Sequence, residues 1–241
     1  GDERPTTLPN KVHDSQLVAC EDTDVKVYEK ALDLKQDGQD LAPGTVVGSQ
    51  PGSTGETASG TLLGAVTGGV GALTYSLVGN AEGQYGQIKI NADGSYTYTL
   101  TSAPKSPVPA NDGANVTTET FTYQVKDAAG NSTTSTIVIS IVDDVPKAHC
   151  DTATVIEGGT VTGNVLDNDV IGADVAADGK YVVGVRAGSD TLTSAVGQLA
   201  TQVQGDYGYL TLDAKGNAVY HANPNSVAPA GATDSFVYTI P

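Results

Sequence analysis

Gly83–Leu100 reads GQYGQIKINADGSYTYTL, and Gly205–His221 reads GDYGYLTLDAKGNAVYH. Both stretches carry two glycines, a tyrosine, an alternating apolar run, a four-residue turn ending in glycine and a second tyrosine, in that order. Gly83 to Tyr98 matches Gly205 to Tyr220 at a constant offset. Alternation with period two places Ile88 and Ile90, then Tyr96 and Tyr98, on one strand face. NADG and DAKG read as tight turns between paired strands, with Gly94 and Gly216 supplying positive φ. Farther on, ETFTYQV (Glu119–Val125) matches DSFVYTI (Asp234–Ile240), and Phe121, Tyr123 and Val125 share a face.

Working outward, the repeat divides the chain. After TFTYQV the first copy continues DAAGNSTTSTIVISIV, a turn and a closing strand. VDDVP follows, where Pro146 cannot donate to a ladder. The expected units are 20–145 and 146–241, each with about seven strands in two sheets with Greek-key connections. The second copy stops at FVYTIP, one turn and one strand short of the first, and so reads as truncated. Residues 1–19 read as an extended linker or the terminal strand of a preceding repeat, able to complete the truncated unit, or equally as a disordered terminus. A short helical turn is expected near Ala31–Leu34, ahead of a Gly/Ser/Thr-rich loop over residues 43–61.

Composition fits an all-β protein. Tyr (11) outnumbers Phe (2), Trp and Met are absent, and Gly reaches 29 of 241 residues, so thin sheets joined by turns are favoured over helices. A chain without Met reads as processed, or as a piece of something longer. These residues show neither a signal-peptide pattern nor an apolar run long enough to span a bilayer, so any export signal is expected outside this piece. The net charge of −16 repels nucleic acid and anionic membrane alike, and so argues against both as partners. It suits a solvated surface or carboxylates awaiting a cation. Cys20 and Cys150 sit just before each unit's first strand. They read as two free thiols, because equivalent positions in tandem units lie beyond disulfide reach.

YGQIKINADGSYTYTL, ETFTYQVKDAAGNSTTSTIVISIVDD, EGGTVTGNVLDNDV and YGYLTLDAKGNAVYHANPNS resemble the repeats of large bacterial adhesins exported by type I secretion. The likeness is to the extender repeats of Lap-type RTX biofilm adhesins with VCBS-like or cadherin-like domains, and it covers nearly the whole chain. It implies tandem immunoglobulin-like β-sandwiches, Ca2+ at the linkers, and a stalk that projects an adhesive tip from the cell surface. The implied partners are neighbouring repeats of the same chain and, through other domains, surfaces or matrix. The implied location is secreted and cell-surface associated, tethered to the outer membrane through other regions. The glycine-rich nonapeptides of calcium β-rolls are absent, and the cysteines are unusual for such proteins.

Calcium takes six to eight oxygens, mostly carboxylate and carbonyl. Carboxylates gather near the inferred boundary: Asp127 in the turn before the last strand, Asp143 and Asp144 in VDDVP, and Asp151 and Glu157 at the start of the next unit. Convergence at one pole of a sandwich would make these a metal-stiffened joint. Asp22, Asp24 and Glu29 open the first unit in the same way. A further cluster is LDNDV, with Asp167, Asn168 and Asp169, plus Asp174 on a nearby loop. Each of these equally reads as a turn former or capping side chain. Asp93 and Asp213 read as plain hairpin residues, and QDGQD (Gln36–Asp40) as a weak candidate. Enzyme motifs are missing: His13, His149 and His221 have unrelated contexts, and no nucleophile elbow, zinc-binding helix or phosphate loop occurs. The expectation is a non-enzymatic stalk module. The alternative is a calcium-dependent glycan- or peptide-binding module using the 43–61 loop. Arg186 reads as a partner for an acidic loop or a pocket residue.

Overall fold

A computed structural model describes residues 16–105, 115–225 and 231–241. Residues 1–15, most of the expected N-terminal segment, lie outside it, and so does His13. In chain order the strands are β1 (Val18–Ala19), β2 (Lys26–Tyr28), β3 (Thr57–Thr61), β4 (Val66–Thr67), β5 (Thr74–Val78), β6 (Gly86–Ile90), β7 (Ser95–Leu100), β8 (Val116–Lys126) and β9 (Ser132–Val142). They continue with β10 (Thr160–Asn164), β11 (Gly184–Ala187), β12 (Val203–Gln204), β13 (Gly208–Leu212), β14 (Asn217–Ala222) and β15 (Phe236–Thr239). Among the described residues the helical structure is a single 3-10 turn, Glu29–Ala31, slightly ahead of the expected position.

The first unit pairs its strands in the order β2-β9-β8-β5, facing a second sheet β3-β7-β6, with β1 on β4 alongside. β2 runs parallel to β9, and the other neighbours in that sheet are antiparallel. Sequence periodicity explains the layering. On β8, Phe121, Tyr123 and Val125 are buried while Thr120 and Lys126 face water; on β9, Ile137, Ile139 and Ile141 are buried. Tyr96, Tyr98 and Leu100 of β7 and Ile88 of β6 meet them from the opposite sheet. Each fully buried aliphatic side chain contributes roughly 1.5–3 kcal/mol.

The second unit pairs β10-β14-β13-β12 in one sheet and β11-β15 in the other. Its smaller core gathers Val182, Val185, Val203 and Leu212, with Leu210, Phe236 and Tyr238 packed against them. The two cores are distinct clusters, but Ala173 of the later segment belongs to the first one.

The repeated phrase builds the same device twice. Glu119, on the core face of β8, accepts the Tyr98 hydroxyl at 2.5 Å and the Tyr85 amide at 2.9 Å. Asp234, just before β15, accepts the Tyr220 hydroxyl at 2.6 Å and the Tyr207 amide at 3.0 Å. Glycine is required beside each carboxylate: a Cβ on Gly83 would lie 2.1 Å from Glu119 Oε1, and one on Gly205 2.5 Å from Asp234 Oδ2. The tyrosine of each following strand, Tyr123 on β8 and Tyr238 on β15, also reaches backward. Tyr123 donates to the Cys20 carbonyl at 2.6 Å, and Tyr238 to the His149 carbonyl at 3.2 Å. Copying these words therefore copies a phenol–carboxylate latch, buried in the first unit and half-buried in the second, and a tie to the unit's opening segment.

A second repeated device is the turn D-A-x-G-N. Asp127 accepts the Ala129 and Asn131 amides and the Asn131 side chain. Asp213 accepts the Lys215 and Asn217 amides and the Asn217 side chain. Asp93 caps its own turn through Ser95. Asp93 and Asp213 are hairpin residues, as expected. Gly94 and Gly216 both have positive φ.

Candidate metal centre

β2 ends at Tyr28, and the 3-10 turn that follows carries Glu29 inward, leaving it 1% exposed. Parallel pairing sets Tyr28 opposite Val142 at the end of β9. Asp143 and Asp144, the next two residues, therefore arrive beside Glu29. From the later segment, the loop whose Ala173 is buried in the first core brings Asp174. Carboxylate oxygens of Glu29, Asp143 and Asp174 all lie within 4.8 Å of one another.

Asp144 is the staple that holds this arrangement. It is 3% exposed. Its Oδ2 accepts the Ser49 amide at 2.7 Å and the Ala173 amide at 3.1 Å, and its Oδ1 accepts the Ser49 hydroxyl at 2.6 Å. Its own amide donates to Glu29 Oε2 at 3.3 Å. One buried side chain thus ties Ser49, in the loop before β3, to Ala173, in the loop between β10 and β11. Gly172 makes room for it, since a Cβ there would lie 2.5 Å from Asp144 Oδ2; Gly48 lets its loop close on the 3-10 turn, where a Cβ would lie 2.3 Å from the Glu29 carbonyl.

The electrostatics ask for a cation. Burial, and then the neighbouring Asp143, push the Glu29 carboxyl from its ordinary 4.5 up to about 9. Burial, then Asp143 and Asp144, push Asp174 up to about 6. Among the described residues the one ion pair is Lys180–Asp178, so no lysine or arginine neutralises the group. Asp143 Oδ1 is buried with no hydrogen-bond partner, an orphaned acceptor of the kind that folded proteins satisfy. Three hard oxygen donors with one orphaned fit a divalent cation of the calcium type better than zinc, for which nitrogen or sulfur would be expected.

The sequence-derived candidates are distributed differently from the expectation. Glu29, Asp143 and Asp144 come together. Asp127 does not join them: it caps the turn at the start of β9, and also accepts the Val70 amide. The eleven residues of β9 separate it from Asp143 by about 37 Å at the usual strand rise. Asp22 and Asp24 are likewise separate from Glu29. Asp22 bridges Ile137 in mid-strand, takes the Tyr96 hydroxyl at 2.8 Å and the Asp24 amide at 3.0 Å. Asp151 and Asp169 meet around the Tyr238 hydroxyl, at 3.3 and 2.9 Å, and burial first, then Asp169 and Asp167, raise the Asp151 carboxyl. Asn168 donates to the Cys150 carbonyl. Glu157 is exposed in the turn before β10 and joins none of these groups.

Asp174 belongs with the junction rather than with LDNDV, and Ser49 had no signal in the sequence. Arg186 docks on the main-chain carbonyls of Asp190 and Thr193, not on a carboxylate. His221 stacks on Tyr209. Cys20 and Cys150 are free and exposed.

Residues 39–140 match the family model described as bacterial Ig domain. A curated relative, the calcium-binding lectin RapA2 of Rhizobium johnstonii, is 28% identical over 166 residues, covering 68% of this chain and 67% of that protein. No helix among the described residues is long and apolar enough to cross a membrane. Sheet order, core layering and the family match agree: the chain is an all-β protein of immunoglobulin-like sandwiches, with a bacterial Ig domain match over residues 39–140.

Proposed function

We propose that this chain is a structural extender module of a bacterial cell-surface adhesin, serving attachment and biofilm formation, with calcium stiffening the joint between its two units (20–145 and 146–241). The observation that carries this reading is the meeting of Asp174 from the second unit with Glu29 and Asp143 from the first. Calcium, when bound, supplies positive charge that offsets the mutual repulsion of these carboxylates. Glu29 and Asp143 hold the first unit's side of the joint, and Asp174 holds the second unit's side. Asp144 fixes the distance between them through Ser49 and Ala173. The curated relative's description as a calcium-binding lectin supports the cation.

On this reading the module's partners are neighbouring repeats of its own chain, and other regions reach the surface or matrix and tether the protein at the outer membrane. The acidic surface disfavours nucleic acid and anionic lipid. Small-angle scattering with calcium and with chelator tests it. Chelation is expected to broaden the interdomain distance distribution, and an identical rigid profile in both conditions sinks the proposal.

The word lectin in the relative's description favours a second reading, calcium-dependent glycan binding. The expected 43–61 loop ends in strand β3 (Thr57–Thr61), and its irregular part borders a groove lined by Asp33, Leu34, Lys35, Val47, Pro51 and Gly52. It offers no aromatic platform for a sugar ring. Saturable, calcium-dependent signals on a glycan array would favour this second reading over the stalk.

A further inference from the structure

A second group of carboxylates lies within the first unit, apart from the junction. Oxygens of Asp37, Asp40 and Glu56 all fall within 4.8 Å of one another. An acidic turn alone would mean little, because Asp37 is exposed. Glu56 changes this. It is only 4% exposed, and its Oε2 is buried without any hydrogen-bond partner. It immediately precedes β3, and its carbonyl accepts the Leu100 amide at 2.8 Å, so the sheet fixes its backbone and the side chain cannot simply swing to water.

The other members are also held in place. The Asp40 amide donates to the Asp37 carbonyl at 2.9 Å, and the Asp37 amide to Asp40 Oδ2 at 3.2 Å. Thr57 donates its hydroxyl to Asp40 Oδ1 at 2.6 Å and lies 2.7 Å from the Thr99 hydroxyl. Burial above all, and then Asp40, Asp33 and Asp37, push the Glu56 carboxyl above its ordinary range. None of the three pairs with a lysine or arginine among the described residues.

A buried carboxylate oxygen with no donor, facing two further carboxylates, is costly unless something positive meets it. All the donors are hard oxygens, with no histidine or cysteine among them, which selects calcium-type cations over zinc. We propose that Asp37, Asp40 and Glu56 form a second divalent-cation site, independent of the joint, which pins the loop after the 3-10 turn to the start of β3.

Calorimetric titration of the full chain with calcium chloride tests this, with the variants E56Q, D37N, E29Q and D174N run alongside. Two classes of site are expected. E56Q and D37N should each weaken one class at least tenfold and leave the class that E29Q and D174N weaken. D37N alters an exposed side chain, so it decides the matter if E56Q folds poorly. Wild-type stoichiometry and affinity in D37N, or a single class removed only by E29Q and D174N, overturns the proposal. A single class removed only by E56Q and D37N supports this site and sinks the calcium joint. Absence of any binding overturns both.

Discussion

The Tyr98 hydroxyl lies 2.5 Å from Glu119 Oε2, and both groups are buried inside the first sandwich. A carboxylate on the core face of a strand is tolerated because phenol and main-chain donors surround it. Removing one partner strands the other, so the two losses should not simply add. Glu119→Ala is expected to lower stability by about 2–4 kcal/mol, and Tyr98→Phe by about 1–2 kcal/mol. A double-mutant cycle read by urea unfolding should give favourable coupling of roughly 1 kcal/mol or more; additive losses would mean that the bond is incidental.

At the junction, Ser49→Ala removes one hydroxyl bond to Asp144 and leaves the amide bond in place. A loss of about 1 kcal/mol is expected. Gly172→Ala should be more damaging, since it forces a Cβ toward Asp144 at φ +77. Limited proteolysis within residues 145–175 should accelerate in the order wild type, S49A, G172A.

Calcium binding at the joint should strengthen with pH. Without metal, Glu29 holds its proton up to about pH 9 and Asp174 up to about pH 6. The cation must displace those protons, so affinity rises by up to about tenfold per pH unit for each proton released. The metal-free fold shows the opposite sign. Unfolded Glu29 ionises near 4.5 while the folded form stays protonated, so this group's contribution to stability falls as pH rises from 4.5 toward about 9. Calorimetry in buffers of different ionisation enthalpy reads the proton count. A pH-independent affinity between 6 and 9 would remove Glu29 from the site.

The D-A-x-G-N turns behave in the reverse sense. Asn131 and main-chain amides hold Asp127 below the ordinary 3.8, and Asn217 with its neighbours does the same for Asp213. Their stabilising contribution is present above 3.8 and fades as pH falls through the lower folded value. Asp127→Ala and Asp213→Ala should each flatten the acid limb of the stability curve, lowering stability above pH 3.8 more than at strongly acid pH. An unchanged limb in both variants would show that the turns carry no linkage.

The strands of both units were readable because period-two alternation is a local signal: Phe121, Tyr123 and Val125 announce a core face without reference to anything distant. The turns at Asn91 and Asp213 were readable for the same reason. The joint was only half readable. Glu29, Asp143 and Asp144 stood out as acidic residues at a boundary. Ser49 is 95 residues from Asp144, and no local pattern announces that pairing or the arrival of Asp174. Asp127 misled because turn capping and cation binding use the same side chain. Only the strand length, which sends Asp127 to the far end of β9, separates the two. Glu56 was silent, because a single glutamate before a threonine-rich strand carries no motif.

The parallel alignment of β2 with β9 has a mechanical consequence. From Asp22 to Tyr28 the entering chain runs beside the second half of β9 in the same direction, with Lys26–Tyr28 paired to the last three residues of that strand. Tension along the backbone would drag these two segments past each other lengthwise. The rungs joining Lys26–Tyr28 to Ser140–Val142, and the Asp22–Ile137 bridge behind them, would have to yield together rather than peel one by one, which is the geometry in which a short sheet resists pulling hardest.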